Sequence, residues 1–314
     1  MVSTTDARPA PRRRSRFGNR GGFAGYVFVA PSMIFLSVFL ILPIFLAFYY
    51  SVSDYDMMKA PSFAGLKNYR NILDDVRFPQ AINNTLYFAF ATVPIGVITS
   101  LFLAALIDRQ IRTIYFFRAM FYLPVVSSFV SVSLIWLWFY EPQFGLANEA
   151  LEALGLPRLK WMASAKTSMP SIIILSVWKN MGLNMVIYLA GLQGIPPHLY
   201  EAAEIDGAGR ISRFFRVTLP LLAPTTFFVV IVYFIGALQM FVQVWIMSNR
   251  FETGGGADIG GPLDSTLTVV LFIYQNGFEY LKMGYAASIS FVLFVVIGIV
   301  TIINARLLRY DIGY

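Results

Sequence analysis

Apolar residues fall into six long runs separated by polar stretches: 24–51, 81–107, 114–139, 170–192, 219–247 and 284–308. A helix crossing a bilayer needs about 20 mostly apolar residues, and each run supplies them. The pattern predicts an all-α membrane protein with six transmembrane helices. The first and fifth runs exceed what a ~30 Å hydrocarbon core requires at ~1.5 Å per residue, so those helices are expected to tilt or project. The first run continues from Phe28 to Tyr50 through Pro31 and Pro43. A cleaved signal has a shorter apolar core of roughly 7–15 residues. This run is therefore expected to stay as a helix, kinked near its prolines. The implied organisation is a basic tail at 1–23, a six-helix domain at 24–309 with a long loop at 193–218, and a short tail at 310–314.

Composition sharpens this picture. Of 314 residues, 57% are apolar and only 13% charged, about half the charge of an ordinary soluble domain. That excludes a typical soluble enzyme and a disordered chain. There is no cysteine, which excludes a disulfide scaffold, a thiolate metal site and a cysteine nucleophile. The net charge is +7. With both termini on one side, that side collects fourteen Lys and Arg against six acids, and the other side nine against eleven. Arg118, just inside the third run, counts with its flank; Lys179, within the fourth, is left over. The positive-inside rule places both termini in the cytoplasm. The cluster Arg12–Arg16 reads as a topology anchor beside anionic headgroups and not as a nucleic-acid arm, since little soluble surface remains for a basic groove.

The spans hold no Asp or Glu. Proton- and sodium-driven carriers bind their ion at membrane depth through a carboxylate or a His relay, and the one histidine, His198, lies in a loop. No Ser–His or Asp pair assembles at that depth for proteolysis. Lys179 is open to two readings, a structural snorkelling residue or one beside a transport path. The glycines at 254–256, 260 and 261 lack the Lys-Ser/Thr and the strand–helix context of a phosphate loop and read as a flexible loop. The chain thus looks built to move something polar without carrying its own energy source.

The loop between the fourth and fifth spans reads as two short helices. Pro196-Pro197 suits the start of the first. Asp206-Gly207 breaks it, and Asp206 is expected to cap the second. In the second, Ile211, Phe214, Phe215 and Thr218 share a face beside a stripe of Arg210, Arg213 and Arg216, an amphipathic pattern. Leu219-Pro220 then admits the chain to the fifth span.

Within this loop Glu201-Ala202-Ala203, three residues, Gly207, nine residues and Val217-x-Leu219-Pro220 follow one another. This spacing resembles the EAA loop of bacterial ATP-binding-cassette (ABC) importer permeases, with Val217 where Ile is usual. The stretch from Glu201 to Pro224 is similar to the carbohydrate-uptake branch, and particularly to sugar and glycerol-3-phosphate permeases. Ala30-Pro31, Pro43, Gly65-Leu66-x-Asn68-Tyr69, Leu123-Pro124 and Trp178-Lys179 extend the resemblance from about Tyr26 to Leu308. The extracytoplasmic loop departs slightly, reaching Pro262 later than the family does.

The resemblance implies a type I ABC importer permease architecture in a bacterial or archaeal cytoplasmic membrane. It implies a second homologous permease, two copies of a cytoplasmic ATPase and an extracytoplasmic solute-binding protein as partners. ATP and Mg would then sit on the ATPase, with no cofactor, metal or catalytic residue in this chain. The EAA loop couples to the ATPase: Glu201 offers a charge, Ala202 and Ala203 allow close helix approach, and Gly207 permits the bend. Asp206, Leu219 and Pro220 complete that set. The solute path of such permeases is lined by the later helices. Asn180 and Asn184, and Gln239 and Gln243, are four apart and so predicted on one helix face each; with Tyr233 and Trp245 they are candidates to face solute, helix–helix bonding being the alternative. The expected cargo is a sugar, oligosaccharide or sugar-like polyol, the alternatives being glycerol-3-phosphate or a glycerophosphodiester, or an ion-driven carrier acting alone.

Overall fold

The computed structural model describes residues 20–108, 114–248 and 260–307. The Arg12–Arg16 cluster, Gly254–Gly256 and the 310–314 tail lie outside the described residues. The chain divides into two units, 1–49 and 50–314.

The first unit contains α1 (Arg20–Leu36), a π turn at Ser37–Ile41 and most of α2 (Leu42–Ser51). From Gly25 to Ser51 it is one helix of 27 residues. The expected proline kink takes a specific form here. Pro31 sits inside α1, and ahead of Pro43 the Leu42 N–H reaches back five residues to the Ser37 carbonyl. A π turn of this kind absorbs the register that a proline's missing N–H disturbs.

The second unit begins with a two-stranded antiparallel ribbon, β1 (Ser53–Asp54) and β2 (Ser62–Phe63), with Ser53 opposite Phe63. The short α3 (Lys67–Asp74) follows. Asn68 explains its place: its buried amide donates to the Ser51 and Ser53 carbonyls at 3.0 and 2.8 Å, and the Tyr69 hydroxyl bonds the Ser51 hydroxyl at 2.8 Å. Part of the Gly65–Tyr69 motif thus acts as a staple on the end of α2 and the residues just after it.

The long α4 (Arg77–Ile107) and α8 (Ser168–Gln193) pack along one another and form the centre of the unit. Between them come α5 (Ile114–Val126), α6 (Phe129–Phe139) and the short α7 (Leu146–Ala153). After α8 come α9 (Pro197–Ile205), α10 (Arg210–Arg213), a π turn at Phe214–Thr218 and the three-residue α11 (Leu219–Leu221). The chain then runs through α12 (Ala223–Leu238), α13 (Val242–Ser248), α14 (Val269–Tyr274) with a π turn at Gln275–Glu279, and α15 (Met283–Leu307). The α5 helix lies on α8, where a Cβ at Gly182 would run into the Phe121 carbonyl oxygen. Between helices in lipid, close packing such as that at Gly182 supplies the adhesion, and backbone groups are satisfied internally.

Four helices among the described residues are long and apolar enough to cross a membrane, and six spans result if each of two bent pairs counts as one. Two of the expected continuous spans are therefore broken. The third turns by 98° between Val126 and Phe129. Ser128 is extended there, with ψ 137°, and its hydroxyl accepts the Val130 N–H at 3.2 Å, so a new helix starts instead of the old one continuing. The fifth bends by 64° at Leu222, where Pro224 brings no N–H to the first turn of α12. It breaks again at Gln239, beyond which α13 starts afresh.

The main apolar core runs from Ile72 and Ala81 through Leu175 to Phe272 and Ile289. A smaller core, with Ala104, Ile107, Leu192, Ile195 and Leu222, lies beneath the 194–222 loop.

Candidate functional site

The loop after α8 folds as two short helices, as expected. Pro196 is extended and Pro197 takes the first turn of α9, where a missing N–H costs nothing. The α9 helix ends at Asp206, whose N–H donates to the Ala202 carbonyl at 3.0 Å. Gly207 then adopts φ +79°, the left-handed conformation that ends helices and favours glycine. Asp206 is therefore a C-cap of α9. It does not cap the second helix, whose N-cap is Gly209 without a side-chain bond. The intervening glycine and Ala208 carry Asp206 too far back to reach the first N–H groups of α10.

No residue of α9 is buried. Glu201 and Ala202 are exposed, Ala203 is half-buried, and Ile205 is 87% exposed. The expected apolar face of the second helix is divided. Thr218 is buried and bonds Tyr200 at 3.1 Å, whereas Ile211 and Phe215 are exposed. The π turn at Phe214–Thr218 shifts the helical register and breaks the single face that regular 3.6-residue spacing implies. Leu219 and Pro220 form α11, at the entry to the fifth span. An ion pair of 2.9 Å from Arg213 to Glu204 links the two loop helices. Below the loop, Asp108, Tyr200, Arg210 and Arg213 line a cavity of about 590 Å³. Burial pushes the Asp108 carboxyl above its ordinary pKa, and the Arg118 guanidinium offsets this in part.

Deeper in the unit, a second cavity of about 320 Å³ gathers five of the six predicted path residues, Asn180, Asn184, Tyr233, Gln239 and Gln243. Asn180 and Asn184 share a face of α8, as their spacing predicts. Gln239 and Gln243 do not share a helix: Gln239 is the exposed C-cap of α12 and Gln243 is buried in α13. The break between them, not a helical repeat, brings both amides to the cavity. Trp245 is not in the lining; its ring stacks on Phe241 and meets Tyr274 edge-on. Ser176, absent from the sequence reading, also lines the cavity.

Among the described residues, the polar groups lining this cavity are amides and hydroxyls, with no charged side chain. Phe88, Phe129 and Phe241 contribute aromatic surface. Asn180 spends one N–H on the Ser176 carbonyl at 2.8 Å. The Asn184 amide nitrogen and the Ser176 hydroxyl are buried without a protein partner, on side chains only 6% and 1% exposed. A buried donor left unmade costs about 1–3 kcal/mol, and these two groups keep hydrogen-bonding capacity for a further partner.

The two readings of Lys179 are separated by its contacts. It is buried, and its ammonium donates to the Pro124 and Ser127 carbonyls at 2.9 and 2.7 Å and more weakly to Val125. These carbonyls lie where the 98° break interrupts the helical ladder. Lys179 is thus the C-terminal cap of α5, with its charge at the negative end of the helix dipole. Among the described residues, no group of three or more acidic or His side chains could hold a metal ion.

Residues 77–309 match the family described as the binding-protein-dependent transport system inner membrane component. The chain is 34% identical over 313 residues to the arabinooligosaccharides transport system permease protein AraP of Bacillus subtilis, covering 98% of this chain and 96% of that protein. It is 32% identical to the probable ABC transporter permease protein YesP of the same organism, over 96% of each. It is 31% identical to the sn-glycerol-3-phosphate permease UgpA of Pectobacterium atrosepticum, over 94% of this chain and 97% of that protein. In fold it is similar to a chain of a bacterial alginate ABC transporter solved in complex with an alginate pentasaccharide-bound periplasmic protein. That likeness has a TM-score of 0.77 at 22% identity and covers 92% and 95% of the two chains.

Proposed function

The chain belongs to the family of binding-protein-dependent transport system inner membrane components, and from that premise we propose that it carries an uncharged sugar or oligosaccharide into the cytoplasm as one of two permeases of an ATP-driven importer. It is a multi-pass membrane protein. The observation that carries the solute class is the cavity around Asn184. Amides, hydroxyls and aromatic faces suit a polyhydroxylated neutral solute, and a phosphate would meet no lining cation there. The relatives' names point to sugar-type cargo, with glycerol-3-phosphate among them.

Energy enters through α9 in this reading. A helix with no buried residue, presenting Glu201 and Ile205 beside a left-handed glycine, fits the docking element for a cytoplasmic ATPase. ATP and Mg²⁺ belong to that ATPase, and this chain performs no hydrolysis. The positive-inside count supports cytoplasmic termini and six spans, with each bent pair taken as one. A second permease completes the pathway, and an external binding protein delivers solute.

Purification of the tagged chain from native membranes in mild detergent is expected to bring down a second permease and an ATPase bearing a phosphate loop. The chain arriving alone in several detergents would overturn the importer assembly. Uptake of labelled arabinooligosaccharide and of glycerol-3-phosphate, compared in cells with and without the chain, tests the solute class. Chain-dependent uptake of the phosphate and not of a neutral sugar would overturn it.

A further inference from the structure

Lys179 is buried and, among the described residues, makes no ion pair with a carboxylate; it sits next to the cavity. Besides capping α5, its ammonium lies 4.4 Å from the centroid of the Phe129 ring. Phe129 is the first residue of α6 and lines the cavity with Asn180 and Asn184. The side chain therefore holds both halves of the broken span at once, through the last carbonyls of α5 and the first aromatic face of α6. Removing the ammonium leaves the Pro124 and Ser127 carbonyls unpaired in an apolar setting, and the segment must then seek another way to satisfy them. An extended helix or a shifted bend would both relocate Phe129. At Gly182, one turn further along α8, α5 approaches too closely to slide, so a rearrangement falls on the α6 side.

We propose that Lys179 is a positioning residue of the cavity, fixing the bend between α5 and α6 so that Phe129 forms its wall. The proposal rests on reading that cavity as the solute path, but its test does not require transport. The absence of cysteine from the chain permits single reporter thiols. Gly236 lines the cavity, with open space where a Cβ would go. Gly236→Cys is labelled with a methanethiosulfonate reagent in the membrane-embedded complex, in the parent, Lys179→Met and Lys179→Arg backgrounds. Leu73→Cys on exposed α3 serves as the control.

With Lys179→Met, labelling at Gly236→Cys is expected to change by at least about tenfold, while the Leu73→Cys rate stays constant. Lys179→Arg, which keeps charge and donors, is expected to hold the parent rate within about twofold. Equal Gly236→Cys rates in the Met and parent backgrounds overturn the proposal, as does a Met effect that appears equally at Leu73→Cys. Phe129→Ala keeps the ammonium but removes the wall, and is expected to change labelling on a similar scale. Unchanged labelling in that variant also overturns the proposal, even if Lys179→Met does not accumulate. Lost sugar uptake in the parent would sink the importer reading and leave the labelling result standing.

Discussion

At the end of the second unit where α4, α8 and α15 begin, polar side chains reach far along the chain. Arg77 makes a two-pronged ion pair with Asp264 at 2.8 and 3.0 Å. Asn84 donates to the carbonyls of Asp264 and Leu267, and Ser168 bonds Ser265. The buried Asn148 satisfies the Pro142 and Leu159 carbonyls while accepting from Leu159 and the Trp161 indole. At the opposite end, the 194–222 loop is tied by Tyr200–Thr218 and by one exposed ion pair, and α9 buries nothing. Both ends are built of short helices and turns. One is closed on itself by partners within the chain. The other leaves charged and apolar groups facing outward, which suits a surface completed by a partner protein.

Substitutions can break this contrast in graded ways. The largest effect is expected from Gly207→Pro. Proline fixes φ near −65°, far from the +79° observed, and so redirects α10 relative to α9. ATP-driven uptake should fall by at least about a hundredfold, with membrane insertion and helical content by circular dichroism unchanged. Glu201→Lys should also abolish uptake with insertion intact. Full uptake in both would remove α9 from the coupling path.

Arg77→Leu comes next, acting on stability and not on coupling. It leaves Asp264 without its guanidinium and should cost about 2–3 kcal/mol, read as a lower thermal midpoint in detergent, while ATPase co-purification persists. Asn148→Ala strands several backbone groups and the Trp161 indole, and should cost about 2 kcal/mol by the same measurement. At the loop end, Arg213→Ala should change stability by less than about 0.5 kcal/mol, because Glu204 is 72% exposed. A loss there as large as that of Arg77→Leu would erase the contrast between the two ends.

The smallest effect concerns pH. Partial burial raises the Asp108 carboxyl pKa, so folding disfavours its charged form relative to the unfolded chain. Its contribution to stability is present at low pH and is lost as pH rises through the folded-state pKa. Asp108→Asn should therefore flatten the pH dependence of the thermal midpoint over that range and raise the midpoint at neutral pH. An unchanged pH profile would show that Asp108 does not titrate against folding.

The loop helices were legible because their signals are local. Pro197 at a helix start and Gly207 at a helix end act through their own φ angles and missing groups. The same holds for Asn180 and Asn184, whose spacing of four residues within unbroken α8 puts them on one face. Gln239 and Gln243 have that spacing too, yet α12 ends between them. Trp245 fell outside the cavity for a related reason, since α13 restarts the helical register and turns its ring toward Phe241. Ser176 carried no sequence signal, because a serine in an apolar helix ordinarily returns its hydroxyl to the preceding turn.

The sequence by itself determined the long apolar runs, the uneven split of charge between the two sets of loops and the EAA spacing, each of which depends on residue type and local order. Only the tertiary structure decided where the third and fifth runs break, which amides meet at the cavity, and what Lys179 does. Those outcomes depend on groups distant in sequence meeting in space. The carbonyls freed at 124–127 need a donor, and the residue that supplies it lies more than fifty positions further along the chain.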